Sequence, residues 1–318
     1  MFSFELSAIV YQFTQSLLVV LVAPLFLGWV NQCRAWLQNK SAPSLFQPYR
    51  NLLKLVSKDA LLAHNASVLF RATPYVLFAC MWLAAGVVPV LATDLPYAPT
   101  ADVIALVGIF ALARVFLALA AMDVGTAFGS LGARREMLVA FLAEPALLMV
   151  FFTASLISQS TSLTTIVETL AYREFTLYPS MAFAAAAFLM VLLAENARIP
   201  VDNPATHLEL TMIHEAMILE YSARHLALIE WAVAIKLTTY VAIGIALFLP
   251  WGIAAGGDWA GLPLAVTAFT GKLLLAGAGL ALLEAASAKM RIFRAPEFLG
   301  TAFLLGVLGM LIFFLLGA

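Results

Sequence analysis

Eight stretches of roughly 20 apolar residues follow one another, at about 7–30, 73–92, 102–122, 137–158, 179–199, 228–250, 264–286 and 298–317. At ~1.5 Å of rise per residue, each is long enough to cross a hydrocarbon core of about 30 Å as a helix. Lipid offers no partners to the backbone, so every N–H and C=O must be satisfied within the segment, which dictates helices. The expected class is an all-α integral membrane protein, one polytopic domain over 1–318 with cytoplasmic amphipathic helices. Composition agrees: 64% of residues are hydrophobic and 11% charged, against roughly 45–50% apolar and about 25% charged in a soluble domain. Turn-rich segments such as "TDLPYAPTAD" and "LPWGIAAGGDWAGLP" separate the spans. There is no internal repeat. The opening "MFSFELSAIV" lacks a basic n-region and contains Glu5, so it reads as the start of a retained span and not as a cleaved signal.

Charge alternates between the loops. Those after spans 1, 3, 5 and 7 (about 31–72, 123–136, 200–227 and 287–297), together with the inner end of span 5, hold Arg34, Lys40, Arg50, Lys54, Lys58, Arg71, Arg134, Arg135, Arg198, Arg224, Lys289, Arg291 and Arg294. These are 13 of the 17 Lys and Arg, and the opposite loops hold only Arg173. The positive-inside rule puts the basic loops in the cytoplasm and both termini on the other side. A net charge of −1 carries no nucleic-acid signature. Cys33 and Cys80 lie far apart in the chain and cannot supply the roughly four ligands of a zinc or iron–sulfur site.

The remaining cations, Arg114, Lys236 and Lys272, fall inside spans, as does Glu144. Each would cost about 2.5–3.5 kcal/mol at a helix centre if unpaired. Counting from the cytoplasmic ends, Arg114, Glu144 and Lys236 lie at similar depth, roughly 10–14 Å in. Glu195, Glu230 and Glu284 are expected shallower, near the inner ends of spans 5, 6 and 7. Lys272 is expected deeper, towards the far side. Pro145 follows Glu144 and removes the helical donor for the Phe141 carbonyl, which would admit water beside a carboxylate. Such groups commonly mark an ion or proton route; the bland alternative is a static pair that locks two helices. A route is energetically feasible. One charge crossing 100 mV represents about 2.3 kcal/mol, and two pKa units represent about 2.7 kcal/mol.

In the first basic loop, Arg50, Lys54 and Lys58 recur every four residues, with Leu52, Leu53 and Val56 opposite. That pattern predicts an amphipathic helix on the membrane surface, serving as a headgroup anchor or a dock for a soluble subunit. The third basic loop gathers acidic residues and histidines as well as cations. "AENARIPVDNPATHLELTMIHEAMILEYSARH", residues 194–225, contains seven of the charged residues and three of the four histidines. After Pro200 and Pro204 the pattern predicts a helix from about Ala205. His207, Thr211, His214, Ile218, Tyr221 and His225 would share one face, and Glu209 and Glu220 another. "HEAMI" starts like a zincin motif, but Ile218 stands where the second histidine belongs, so no metal site is expected. The interleaved apolar residues suggest a helix sandwiched between the membrane domain and a partner.

These residues resemble the NuoH-type membrane subunit shared by respiratory complex I and the membrane-bound nickel–iron hydrogenases. The resemblance is strongest to the hydrogenase-4 and formate hydrogenlyase branch. "QPYRNLLKLVSKD", "LVAFLAEPALL" and "AKMRIFRAPEFLG" extend it over nearly the whole chain. It implies a non-catalytic subunit in a bacterial cytoplasmic (inner) membrane that anchors a peripheral arm and couples its electron transfer to proton or sodium translocation. The implied partners are the peripheral hydrogenase large and small subunits, iron–sulfur subunits and antiporter-like membrane subunits. Nickel–iron and iron–sulfur centres would sit on those partners, with no cofactor in this chain. By motif, the implied coupling residues are Glu144, Glu195, Arg198, Asp202 and Glu209. Glu215, Glu220, Arg114, Glu230, Lys236, Lys272 and Glu284 are further candidates for coupling. Arg50, Lys54, Lys58, His207 and His214 are candidates for docking. The complex I form has a shorter spacing than that from Asp202 to Glu220–Tyr221, so no quinone site is assigned; a quinone-site subunit of a complex I-like dehydrogenase is the alternative that the resemblance implies. A stand-alone secondary transporter would show repeats and broken helices at the midplane; the sequence shows neither.

Overall fold

The computed structural model describes residues 6–93, 102–172, 178–202, 212–254 and 261–316, with side chains from residue 12 onward. Eleven α-helices are assigned in this range: α1 Leu6–Leu37, α2 Gln47–Val56, α3 Val68–Val87, α4 Val103–Asp123, α5 Ala127–Ser158, α6 Leu163–Tyr172, α7 Pro179–Glu195, α8 His214–Ile218, α9 Ala223–Phe248, α10 Leu262–Ala286 and α11 Ala295–Leu316. A 3₁₀ turn, Ile292–Arg294, leads into α11. Among the described residues there are isolated bridges but no strands. Among the described residues seven helices are long and apolar enough to cross a membrane, and α7 is an apolar helix of 17 residues. The eight expected spans thus map one to one onto α1, α3, α4, α5, α7, α9, α10 and α11.

Local chemistry sets several helix starts. The Ser67 side chain accepts from the Leu69 N–H at 3.1 Å, and Asp102 accepts from Ile104 at 2.7 Å. Each satisfies one of the orphan donors of a first turn. Prolines begin α7 and α10, where a missing N–H costs nothing. Pro24, Pro74 and Pro145 lie inside α1, α3 and α5, and the helices run through them.

Helix ends depart from the sequence reading where charge was taken as a sign of loop. α1 continues to Leu37, so Arg34 is helical. α5 begins at Ala127, ten residues before the expected limit, which places Arg134, Arg135 and Glu136 on the helix. The expected continuous helix from 205 to 225 is also broken. Among its described residues, 212–225, only His214–Ile218 is helical before α9 begins at Ala223. The reason is lateral anchoring. The Tyr221 hydroxyl donates to the Phe70 carbonyl at 2.9 Å, and the rings stack at 4.0 Å. Ser222 bonds both backbone groups of Leu61. His225 therefore belongs to α9 and shares no face with His214.

α9 forms the centre. Ile229, Ile235 and Tyr240 on it are fully buried, and α1, α2, α3, α7 and α10 pack around it. α1 also packs on α10: the Trp29 indole donates to the Leu274 carbonyl at 3.0 Å, and a Cβ at Gly277 would lie 2.8 Å from Trp29. α4 bridges α3 to α5, and α5 carries α7 and α11 on its far side. α2 lies against α1 and α9 through buried Leu52, with Leu53 and Val56 exposed. A Cβ at Gly28 would collide with the Leu45 carbonyl oxygen just before α2. Gly28→Ala is expected to cost about 1–3 kcal/mol, read as a lower unfolding temperature in detergent. An unchanged temperature would show that the segment before α2 yields freely.

Candidate functional site

The buried charge gathers around one guanidinium. Arg114, from the middle of α4, is 4% exposed. Its Nη1 donates to Glu144 Oε1 at 3.2 Å, its Nη2 donates to Glu195 Oε2, and its Nε lies 3.2 Å from Glu136 Oε1. The Glu136 contact is an ion pair without hydrogen-bond alignment. Lys236, on α9, pairs with Glu195 Oε2 at 3.0 Å and donates to the Glu195 backbone carbonyl at 2.6 Å. Four helices thus meet at three carboxylates and two cations. The fork of an arginine suits this role, since its donors point in fixed, separate directions.

Glu195 reaches this depth because α7 is short. Seventeen residues span roughly 26 Å at about 1.5 Å each, less than a hydrocarbon core of about 30 Å. The helix therefore ends inside the protein, and its last carbonyls, the negative pole of its dipole, face Lys236. Glu195 and Arg114, counted at different distances from the inner ends of their spans, are nonetheless in contact. A cavity of about 50 Å³ adjoins the group, lined by Arg114, Glu136, Glu195, Asn196, His214 and Lys236 among others. That is room for a few waters. The side-chain Oδ1 of Asn196, which lines it, is buried without a protein partner.

A second charged group begins three residues later. Arg198, in the turn after α7, donates to Glu284 Oε1 of α10 at 3.1 Å. Arg34 of α1 approaches Glu284 Oε2 at 3.5 Å. Burial pushes the Arg198 guanidinium below its usual range, and the charge of Glu284 opposes that. Asp202 accepts from the backbone N–H groups of Ile213 and His214 at 3.2 and 3.3 Å and pairs with Lys289 at 3.3 Å. The Met290 N–H donates to the Pro200 carbonyl at 2.8 Å. Arg135 holds the Met212 carbonyl at 2.8 Å. Residues 195–202 therefore join the two charged groups and are held by the start of α8 and by the segment after α10.

Of the sequence candidates, Arg114, Glu144, Glu195 and Lys236 meet in the first group, and Arg198, Asp202 and Glu284 meet in or beside the second. His214 lines the cavity of the first. Lys272 joins neither: it donates to the carbonyls of Leu249 and Trp251, capping the far end of α9. Glu230 lines a different cavity, between α1, α2 and α9. Glu215 is half-buried on α8, and Glu220 is exposed. Arg50 and Lys54 are exposed on α2, while Lys58 falls past its end, so the basic face of the helix has two cations and not three. His207 and Glu209 lie outside the described residues. Sequence reasoning missed Glu136, masked by the adjacent arginines. Its spacing of eight from Glu144 would have shown it, had α5 been started earlier.

The family described as NADH dehydrogenase matches residues 11–315. The chain is 29% identical to formate hydrogenlyase subunit 4 of Escherichia coli (strain K12) over 290 residues, covering 91% of this chain and 94% of that one. It is 32% identical to hydrogenase-4 component C of the same organism over 247 residues, 77% of each chain. Among solved structures it is similar to a chain of the membrane-bound sulfane sulfur reductase, an archaeal respiratory membrane complex. There the TM-score is 0.75 at 18% identity, covering 94% of this chain and 98% of that one. This last likeness is one of fold.

Proposed function

Because the chain belongs to the NADH dehydrogenase family, we propose that it is the membrane anchor and ion-coupling subunit of a formate hydrogenlyase- or hydrogenase-4-like complex. Its partners are a peripheral arm carrying nickel–iron and iron–sulfur centres, and antiporter-like subunits beside it in a bacterial inner membrane. The basic loops face the cytoplasm and both termini the other side. The relatives named as subunits of such assemblies support the setting. The donor set of this chain agrees with clusters held elsewhere, since Cys33 and Cys80 lie buried on separate helices.

The observation that carries the coupling role is the Arg114 group. Three carboxylates share two cations, a set that balances when it holds one proton. The next turn of chain leads to Arg198, Asp202 and the cation-rich face. A docked arm that shifts residues 196–202 with electron transfer would move Glu195 against Arg114 and Lys236, and so change which carboxylate holds the proton. Relocating one charge against 100 mV requires about 2.3 kcal/mol, within reach of altering one close ion pair at low effective dielectric.

The test replaces Glu144, Glu195 and Glu209 singly with glutamine in the complete complex. Assembly and electron transfer with artificial acceptors are expected to persist. Ion uptake into proteoliposomes is expected to fall at least about tenfold for Glu195→Gln, equivalent to about 1.4 kcal/mol on the rate. Full pumping by Glu195→Gln would refute the role.

A further inference from the structure

α1 ends in a fixed turn. Asn39 is left-handed at φ 52°, the Lys40 N–H donates to the Ala35 carbonyl at 2.9 Å, and the Asn39 N–H donates to Trp36 at 3.0 Å. This is a Schellman closure, which satisfies the last carbonyls and holds Lys40 beside the final turn. Between that turn and the segment after α7 lies a cavity of about 540 Å³, lined by Asn31, Arg34, Gln38, Lys40, Ser41 and Ile199 among others. Its lining includes two cations and no acid.

The charge balance favours an anion. Arg198 and Arg34 both lean on Glu284, two positive charges on one negative. Lys40 raises the surplus to two among the described residues, because its Nζ meets only the neutral Gln38 side chain, at 3.1 Å. The negative pole at the end of α1 offsets roughly half a charge. An anion seated by Arg34 and Lys40, with Asn31, Gln38 and Ser41 as neutral donors, would remove most of the remainder.

The surroundings indicate where the anion comes from. Trp36 and Leu37 are exposed beside the cavity, and Phe46, Leu53 and Val56 are exposed on and before the adjacent α2. Tryptophan at a span end and an amphipathic helix with outward apolar residues mark the headgroup level of a bilayer. Basic pockets between helix ends at that level suit lipid headgroups. We propose that this cavity binds the phosphate headgroup of an anionic phospholipid, whose acyl chains run along Trp36 and Leu37. The site is separate from the Arg114 group and does not depend on the coupling role.

The experiment uses the complete purified complex, stripped of loosely held lipid and titrated with phosphatidylglycerol or phosphatidylcholine in mixed micelles. Bound lipid is counted by native mass spectrometry and phosphorus assay. The wild type is expected to retain phosphatidylglycerol in preference to phosphatidylcholine. Lys40→Glu is expected to weaken phosphatidylglycerol retention about fivefold or more without lowering the unfolding temperature in the absence of added lipid. Lys40→Gln is expected to give a smaller loss. Arg291→Glu, which reverses an exposed cation of another loop, is expected to leave retention unchanged. Equal loss in Arg291→Glu, or none in Lys40→Glu, would overturn the proposal. Displacement of the lipid by inorganic phosphate at millimolar concentration would also overturn it, by showing that the acyl chains contribute nothing.

Discussion

Arg114→Leu is expected to destabilise the protein by about 3–5 kcal/mol, the range found when one partner of a buried ion pair is removed. The side chain is 4% exposed and is the meeting point of Glu136, Glu144 and Glu195. Without it, three carboxylates from α5 and α7 converge with only Lys236 to balance them, and Lys236 contacts Glu195 alone among the three. Lysine is not an equivalent replacement, because an ammonium is a compact charge without the planar fork. Arg114→Lys is expected to fall between wild type and Arg114→Leu. Unfolding temperature in detergent gives the order. A diagnostic double variant combines Arg114→Leu with Glu144→Gln. If the loss comes from stranded negative charge, the pair is less destabilised than the sum of its members. Additive losses would locate the cost in packing instead.

Asp202→Ala is the second large effect. The carboxylate is 3% exposed, accepts from two consecutive backbone N–H groups and pairs with Lys289. Its removal leaves buried donors unsatisfied, at about 1–3 kcal/mol each, so a total of about 2–5 kcal/mol is expected. The loss is local. Residues 196–202 would come away from α8 and from the segment after α10, and trypsin would cut at Arg198 or Lys289 at least about tenfold faster, a factor equivalent to about 1.4 kcal/mol in the opening equilibrium. Asp202→Asn keeps an acceptor and loses the charge, and is expected to show the smaller change. An unaltered cleavage pattern in Asp202→Ala would mean that the Met290–Pro200 bond holds the segment unaided.

The number and order of the spans were readable from apolar run length alone, because lipid leaves the backbone no other solution. Their ends were not. Arg34, Arg134 and Arg135 look like loop residues in a hydropathy reading, yet α1 and α5 extend past the apolar run, and Arg34 lies in the last turn of α1 while Arg134 and Arg135 lie well inside α5. The pairing of Arg114 with Glu144 followed from depth counting, since both helices run nearly full length from the same face. Depth counting did not anticipate the contact of Arg114 with Glu195, which the two long side chains make at the end of α7. The break before α9 had no sequence signal, since the side chains that cause it bond to Leu61 and Phe70, more than 150 positions away.

The contact between α1 and α10 bears on how the protein is made. Trp29 emerges early from the ribosome, while its acceptor Leu274 and the glycine it packs on, Gly277, follow roughly 245 residues later. At about 5–20 residues per second of synthesis, the face of α1 that receives α10 waits tens of seconds or less for it, whereas the face bearing Gln12, Gln15 and Ser16 is met much earlier by α3 and the residues after it. During that interval Trp29 faces lipid or an insertion chaperone. Closure of the bundle is then a late event, and truncations that remove α10 are expected to yield chains that insert but are degraded.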